Sequence, residues 1–264
     1  MAGDFYDSDL VVASYDLLTE QANRQIEGDA AFYLDCARRY GAPVLELGVG
    51  TGRIAWALAE AGHQVVGIDR SGKMLAAARR KGEALSAGLR ARLALHRDDI
   101  ATFEVNRRFP LALIPFSTFQ HLTTPEAQRA CLVQVRHHLE AEGRLILDIF
   151  DPVLDACVPG AGTPNPTREA IDPATGDVLR RFTVSRINDP LTQSFRETFR
   201  LERYDRSGEL LLRDEATHHL RWATRQEMTY LFELTGFGVE AEYSDFERSP
   251  PAYGQRQIWV VRPV

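Results

Sequence analysis

The chain has 264 residues, is 44% hydrophobic and 26% charged, and carries a formal net charge of -6. That is apolar material enough for the core of one large domain, or of one domain with a sizeable insertion. An acidic balance disfavours nucleic acid as a partner, because phosphate contacts need a basic face. No stretch reaches the roughly 18 apolar residues of a membrane span, and the acidic start Met1 to Asp9 is unlike a signal or transit peptide. Cys36, Cys131 and Cys157 are far apart and form no CxxC pair. They read as reduced thiols of a cytoplasmic protein, with neither a metal site nor a disulfide framework.

Residues 9–40 carry a loose helical stripe and read as two helices, ended before Pro43. Val44 to Leu47 is a short buried strand that stops at Gly48, Gly50 and Gly52. A helix follows from Ile54 to Ala61, closed by Gly62. Gln64 to Asp69 is a second apolar strand, and Ser71 is an N-cap for a helix to about Leu85. A third strand runs from Ala91 to Leu95, and a fourth from Leu111 to Ile114. Thr124-Pro125 opens a helix to Leu139, and a fifth strand runs from Arg144 to Phe150. Apolar strands alternating with helices predict an α/β fold with a mostly parallel sheet covered on both faces.

After Asp151 the character changes. Residues 151–171 are rich in Pro and Gly and read as a loop. Val178 to Ile187, Gln193 to Tyr204 and Leu210 to Trp222 read as three long strands of an antiparallel insertion. Thr224 to Glu227 is a capping box for a helix to about Thr235. Gly238 to Phe246 and Gln257 to Val261 are the last strands, bringing the main sheet to seven. The expected division is an N-terminal helical lid (1–42), a core (43–150), the inserted sheet (151–222) and a returning core segment (223–264).

The chemistry concentrates at the carboxyl ends of successive strands, where open parallel sheets bind ligands. Glu46-Leu47-Gly48-Val49-Gly50-Thr51-Gly52-Arg53 runs strand, glycine turn, helix. Glycine lets backbone approach a ligand closely, and a helix N-terminus offers free N–H groups. The spacing is GxGxG, not the GxGxxG of dinucleotide sites, and Arg53 stands where the third glycine would fall. Asp69 ends the next strand about twenty residues on, the placement of a ribose-binding carboxylate. Asp99 with Ile100 follows the third strand, where a carboxylate and the next N–H could read an adenine edge.

These segments resemble the class I S-adenosylmethionine (SAM)-dependent methyltransferases. The match is carried by VLELGVGTGRIAWALAEAGHQVVGIDRS, by HRDDIATF, by LALIPFSTFQHL after strand four and by LEAEGRLILDIF at strand five. The resemblance covers roughly residues 6 to 150, with an echo in ELTGFGVEAEY and IWVVR. It implies a Rossmann-like fold with SAM as cofactor. It places Gly48, Gly50 and Gly52 on the methionine portion, Glu46 at its amino group, Asp69 on the ribose, and Asp99 with Ile100 on the adenine. Met74 fits the D-x-S-x-x-M-L pattern, and the backbone near Pro115 and Phe116 would cover the cofactor.

Tyr6-Asp7 and Tyr15-Asp16, together with the insertion, resemble small-molecule N-methyltransferases of the glycine/sarcosine and amino-sugar types. There an N-terminal helix closes over SAM, so Tyr6 and Tyr15 would form a lid on the sulfonium. Pro110 replaces the usual acid at the start of strand four. His121, in the loop after that strand, is the candidate base for an amine or hydroxyl acceptor, against the alternative of a packing histidine. Phe150, Arg168 and Trp222 are candidates for the acceptor pocket. His137-His138 and His218-His219 read as structural pairs, because neighbouring side chains diverge. The expected partner is a small-molecule methyl acceptor, and a homodimer is allowed. Two other readings stay open: methylation of RNA or protein, and SAM binding without transfer.

Overall fold

The computed structural model describes residues 3–22, 27–160 and 167–264. Its elements in chain order are β1 (Gly3–Asp4), α1 (Asp9–Ala22), α2 (Asp29–Tyr40), β2 (Val44–Leu47), α3 (Arg53–Glu60), β3 (Val65–Asp69), α4 (Gly72–Glu83) and α5 (Ala87–Arg90). Then come β4 (Leu93–Arg97), β5 (Phe109–Ile114), α6 (Pro125–His138), β6 (Leu139–Phe150), β7 (Arg168–Ile171), β8 (Val178–Asp189), β9 (Ser194–Tyr204), β10 (Leu210–Arg221), α7 (Arg225–Leu234), β11 (Phe237–Tyr243) and β12 (Arg256–Pro263). They form two compact units, Met1–Glu27 with Leu154–Leu220, and Gly28–Val153 with Arg221–Val264. Of the N-terminal helices, α1 falls in the first unit and α2 in the second.

The second unit is built on a seven-stranded sheet in the order β11-β12-β6-β5-β2-β3-β4. β2 to β6 pair in parallel, and β12 runs antiparallel to both β6 and β11. Period-two alternation sends successive residues to opposite faces. Leu45, Leu47, Ala112, Ile114, Leu145 and Leu147 pack with Leu132 and Val135 of α6 and with Met228 and Phe232 of α7. Val44, Leu111, Leu113, Ile146 and Ile258 pack on the other side with Phe32, Tyr33, Ile54, Leu58 and Leu75. Helices cover both faces, so these strands are apolar throughout rather than alternating.

Helix starts follow the sequence signals. Ser71, Thr124 and Thr224 accept from the N–H of Met74 (3.2 Å), Ala127 (3.2 Å) and Glu227 (3.3 Å). β6 starts earlier than expected. Its pairing with β5 jumps from Phe109↔Leu139 to Leu111↔Arg144, so the polar run 140–143 bulges from the ladder and resembles a turn in sequence. A Cβ on Gly143 would lie 3.0 Å from the Phe109 carbonyl oxygen, which explains the glycine at this crossing.

The first unit is a five-stranded sheet, order β1-β10-β9-β8-β7, antiparallel from β7 to β9, with β1 parallel to β10. Two of its strands had no sequence signal. Arg168–Ile171 was expected in a loop, yet pairs with Val178–Arg181 across a turn where the Asp172 N–H donates to the Asp177 carbonyl (2.9 Å). Gly3–Asp4 is too short to show a period. On one face Ala170, Leu179, Phe199, Leu201 and Ala216 pack against Phe5, Leu10, Val11 and Leu18.

Candidate functional site

The glycine turn between β2 and α3 has an unusual backbone. Gly48, Gly50 and Gly52 have φ of 73°, 55° and 80°, the left-handed region that side chains disfavour. A Cβ on Gly48 would also stand 2.2 Å from Thr118 Cγ2, and one on Gly52 would stand 2.8 Å from Trp56 Cδ1. The turn's N–H groups are largely committed. Those of Gly48 and Val49 donate to the Ile68 carbonyl, that of Gly52 to the Val49 carbonyl, and that of Gly50 to Asp69 Oδ2 at 2.8 Å. Sequence reading expected free donors here. The fold has spent these four on itself, so the turn offers close approach rather than the anion cradle of a phosphate site. Arg53, at the missing third glycine, is held by Asp29 through two bonds of 2.8 and 2.5 Å.

Glu46 enters this turn from the last part of β2. It is 2% exposed, and its Oε2 is buried with no hydrogen-bond partner among the described residues. Burial pushes its pKa up to about 8, opposed by Arg53 and reinforced by Asp29 and Asp69. An unpaired buried carboxyl oxygen costs stability unless a donor reaches it, and a cationic ammonium meets that need best.

Asp69 closes β3. Its Oδ1 accepts from the Ser71 N–H and its Oδ2 from the Gly50 N–H, both at 2.8 Å. Burial raises its pKa and these two N–H groups lower it. One lone pair remains on each oxygen, enough for two vicinal hydroxyls. Met74 is fully buried, with its Cε 3.5 Å from where a Gly50 Cβ would sit. After β4, Asp98 Oδ1 accepts from the Asp99 N–H and Asp99 Oδ1 from the Ala101 N–H, both at 2.8 Å. Asp99 stays exposed beside the buried Ile100.

The loop after β5 is strained and pinned. Phe116 and Ser117 have φ of 55° and 60°, conformations that cost about 1–3 kcal/mol each outside glycine. Asp148, fully buried on β6, compensates. Its Oδ1 accepts from the Phe116 N–H (2.6 Å) and the Tyr33 hydroxyl (2.5 Å), its Oδ2 is paired with Arg256, and its carbonyl accepts from the Ser117 N–H (3.1 Å). Gln120 locks the next turn through the Phe150 N–H and carbonyl, at 3.0 and 3.4 Å. The outcome is Thr118 set against Gly48 and His121 half-buried at the end of a single helical turn. Pro115 anchors that turn, its carbonyl accepting from the Thr118 N–H (3.2 Å).

Sequence reading missed Asp148, Arg256, Tyr33 and Thr118. The one available signal was a lone carboxylate in the otherwise apolar run Leu145 to Phe150. Burial depresses the Arg256 pKa to about 10, and Tyr33 and Asp29 oppose that shift. Burial also raises Tyr33 well above its usual value, so its hydroxyl stays a donor.

Tyr6 and Tyr15 lie in the first unit with their ring centroids 6.2 Å apart. Arg168 lies in the same unit, whereas Phe150 and Trp222 lie in the second. Three of the four paired histidines have hydrogen-bond partners within the fold. His138 Nδ1 meets the Gln134 carbonyl (2.8 Å), His218 Nε2 meets Glu197 (3.2 Å), and His219 Nε2 meets Ser194 (3.1 Å). Among the described residues no group of three His, Cys, Asp or Glu is set to hold a metal. No helix among them is long and apolar enough to cross a membrane.

Residues 44–143 match the family model described as a methyltransferase domain. The chain is 24% identical over 229 residues to the dTDP-3-amino-3,6-dideoxy-alpha-D-glucopyranose N,N-dimethyltransferase of Streptomyces fradiae, covering 86% of this chain and 83% of that protein. It is 31% identical over 147 residues to the glycine/sarcosine N-methyltransferase of Halorhodospira halochloris, covering 53% of this chain and about half of the relative (52%). Among solved structures, the CcbJ methyltransferase of Streptomyces caelestis aligns at a TM-score of 0.76 and 24% identity, over 99% of this chain and 98% of that one. The glycopeptide N-methyltransferase MtfA in complex with SAM aligns at 0.58 and 21% identity, over 93% and 96%. Residues 44–143 of this chain therefore match a methyltransferase domain, and the chain shares the fold of these solved methyltransferases.

Proposed function

We propose that the protein transfers a methyl group from SAM to the amine nitrogen of a small-molecule acceptor of the amino-sugar kind. The observation that carries this reading is the unpartnered, buried Glu46 oxygen beside a glycine turn whose own N–H groups are mostly committed. Such a site suits a ligand that brings a cation, and fits a nucleotide phosphate poorly. The two N-methyltransferase relatives support the acceptor class.

SAM, when bound, supplies an electrophilic methyl group. The chain's own part is to bind, align and exclude water. Glu46 accepts from the methionine ammonium. Asp69 accepts from the ribose hydroxyls with the lone pairs left over from Gly50 and Ser71. Asp99 and the Ile100 N–H face the adenine edge, and Met74, Pro115 and Phe116 give apolar cover. Gly48, Gly50 and Gly52 admit the methionine chain. The insertion 151–222 is assigned to acceptor recognition. His121 takes the proton released by the acceptor nitrogen. The three cysteines are free thiols, which suits a cytoplasmic setting.

The test is mass spectrometry of a panel of dTDP-linked amino sugars, glycine and sarcosine, incubated with the protein and methyl-labelled SAM. One or two labelled methyl groups on an acceptor nitrogen support the proposal. An unlabelled panel, with S-adenosylhomocysteine still bound, would instead support binding without transfer. His121→Ala is expected to slow the transfer by roughly 10²-fold near neutral pH. Unchanged turnover would remove His121 as the base.

A further inference from the structure

Among the described residues, four other than glycine have a left-handed backbone: Phe116, Ser117, Gln193 and Arg248. Gln193 and Arg248 stand singly in turns between strands. Phe116 and Ser117 are consecutive, with φ of 55° and 60°, and lie between β5 and the short turn that ends at His121. A side chain makes this region unfavourable relative to an extended backbone. Two such residues in a row therefore relax unless the surroundings hold them. Glycine would take the same φ without strain, as it does at 48, 50 and 52.

The holding groups converge on one residue. Asp148 Oδ1 accepts from the Phe116 N–H (2.6 Å), and the Asp148 carbonyl accepts from the Ser117 N–H (3.1 Å). Arg256, paired with Asp148 Oδ2, also donates to Ser117 Oγ at 3.2 Å. Tyr33 donates to Oδ1 at 2.5 Å and fixes the carboxylate from α2. Helix α2 and strand β12 thus brace a carboxylate on β6, all within the second unit. Asp148 and Tyr33 are fully buried and Arg256 nearly so, so little water competes for these bonds. On its other side the loop rests on the glycine turn, where Thr118 fills the space that a Gly48 Cβ would take. The place at which Thr118 meets Gly48 therefore depends on the strained pair, and the strained pair depends on Asp148.

We propose that Asp148, braced by Tyr33 and Arg256, is a positioning residue for cofactor binding. It holds Phe116 and Ser117 against their own backbone preference and keeps the β5 loop seated on the glycine turn before a ligand arrives. This rests on the methyltransferase reading and adds to it a residue that acts through the loop, without touching the ligand.

The test is calorimetric titration of the full chain with S-adenosylhomocysteine, with circular dichroism to confirm folding. D148N is expected to bind about tenfold more weakly. Relaxation of the loop makes a second, sharper prediction. D148N/S117G no longer prefers to leave the left-handed region and should regain about threefold or more. D148N/S117A loses the same hydroxyl but keeps the preference, and should regain nothing. D148N/R256Q, free of the unpaired guanidinium, is the parent for the same glycine and alanine comparison should D148N not fold. Wild-type affinity in D148N, or equal affinity of the glycine and alanine variants, overturns the proposal and leaves the methyltransferase reading standing. Absence of binding by the wild type would count against that reading itself, and the proposal falls with it.

Discussion

Glu46 concentrates the site's electrostatics. Its carboxyl is buried, raised to about 8, and short of a partner. A raised carboxyl binds its proton more tightly in the folded protein. The stability it contributes is fully present below the ordinary value near 4.5 and is lost as pH rises through about 8. The melting temperature of the ligand-free protein should therefore fall from about pH 4.5 to about pH 8 and level off above that, and fall less in Glu46→Gln. Ligand binding has the opposite slope, because an ammonium favours the carboxylate. Affinity for S-adenosylhomocysteine should weaken by up to about tenfold per pH unit below 8, and calorimetry in buffers of different ionisation enthalpy should show proton release. A pH-independent affinity would separate Glu46 from the ligand. Gly48 is the steric counterpart. Gly48→Ala meets both the positive φ and Thr118, at a cost of roughly 1–3 kcal/mol. Adding Thr118→Ala should recover the part due to the clash, as read by chemical denaturation.

At the level of elements, strands and caps were legible because they are written locally. Apolar runs ending in glycine, a carboxylate or proline gave β2 to β5, and Ser71, Thr124 and Thr224 gave three helix starts. What escaped was written across the chain. β7 exists because β8 supplies its partner, β1 because β10 does, and the first part of β6 is hidden by its bulge. In the same way Glu46, Asp69 and the glycines could be named as candidates from their place at strand ends. Asp148 could not be given a role, since Tyr33, Phe116 and Arg256 lie 115, 32 and 108 residues away from it. Asp148→Ala should cost about 3–5 kcal/mol, because it leaves the buried Arg256 uncompensated. Tyr33→Phe removes one hydrogen bond and should cost about 1 kcal/mol. Equal losses in the two variants, measured by denaturant unfolding, would show that Arg256 is not the group at stake.

For the whole molecule, the chain divides into two compact units. The second unit gathers Glu46, the glycine turn, Asp69, Met74 and the pinned loop around one sheet, whereas the first carries Tyr6 and Tyr15 in the N-terminal segment that packs on another. The most direct test of the central claim is calorimetric titration of the intact protein with S-adenosylhomocysteine, beside Glu46→Gln and Asp69→Ala. Saturable one-to-one binding by the wild type, weakened at least tenfold in both variants, is the predicted result. No binding by the wild type, or equal binding by all three proteins, would contradict the assignment of this turn as the cofactor site.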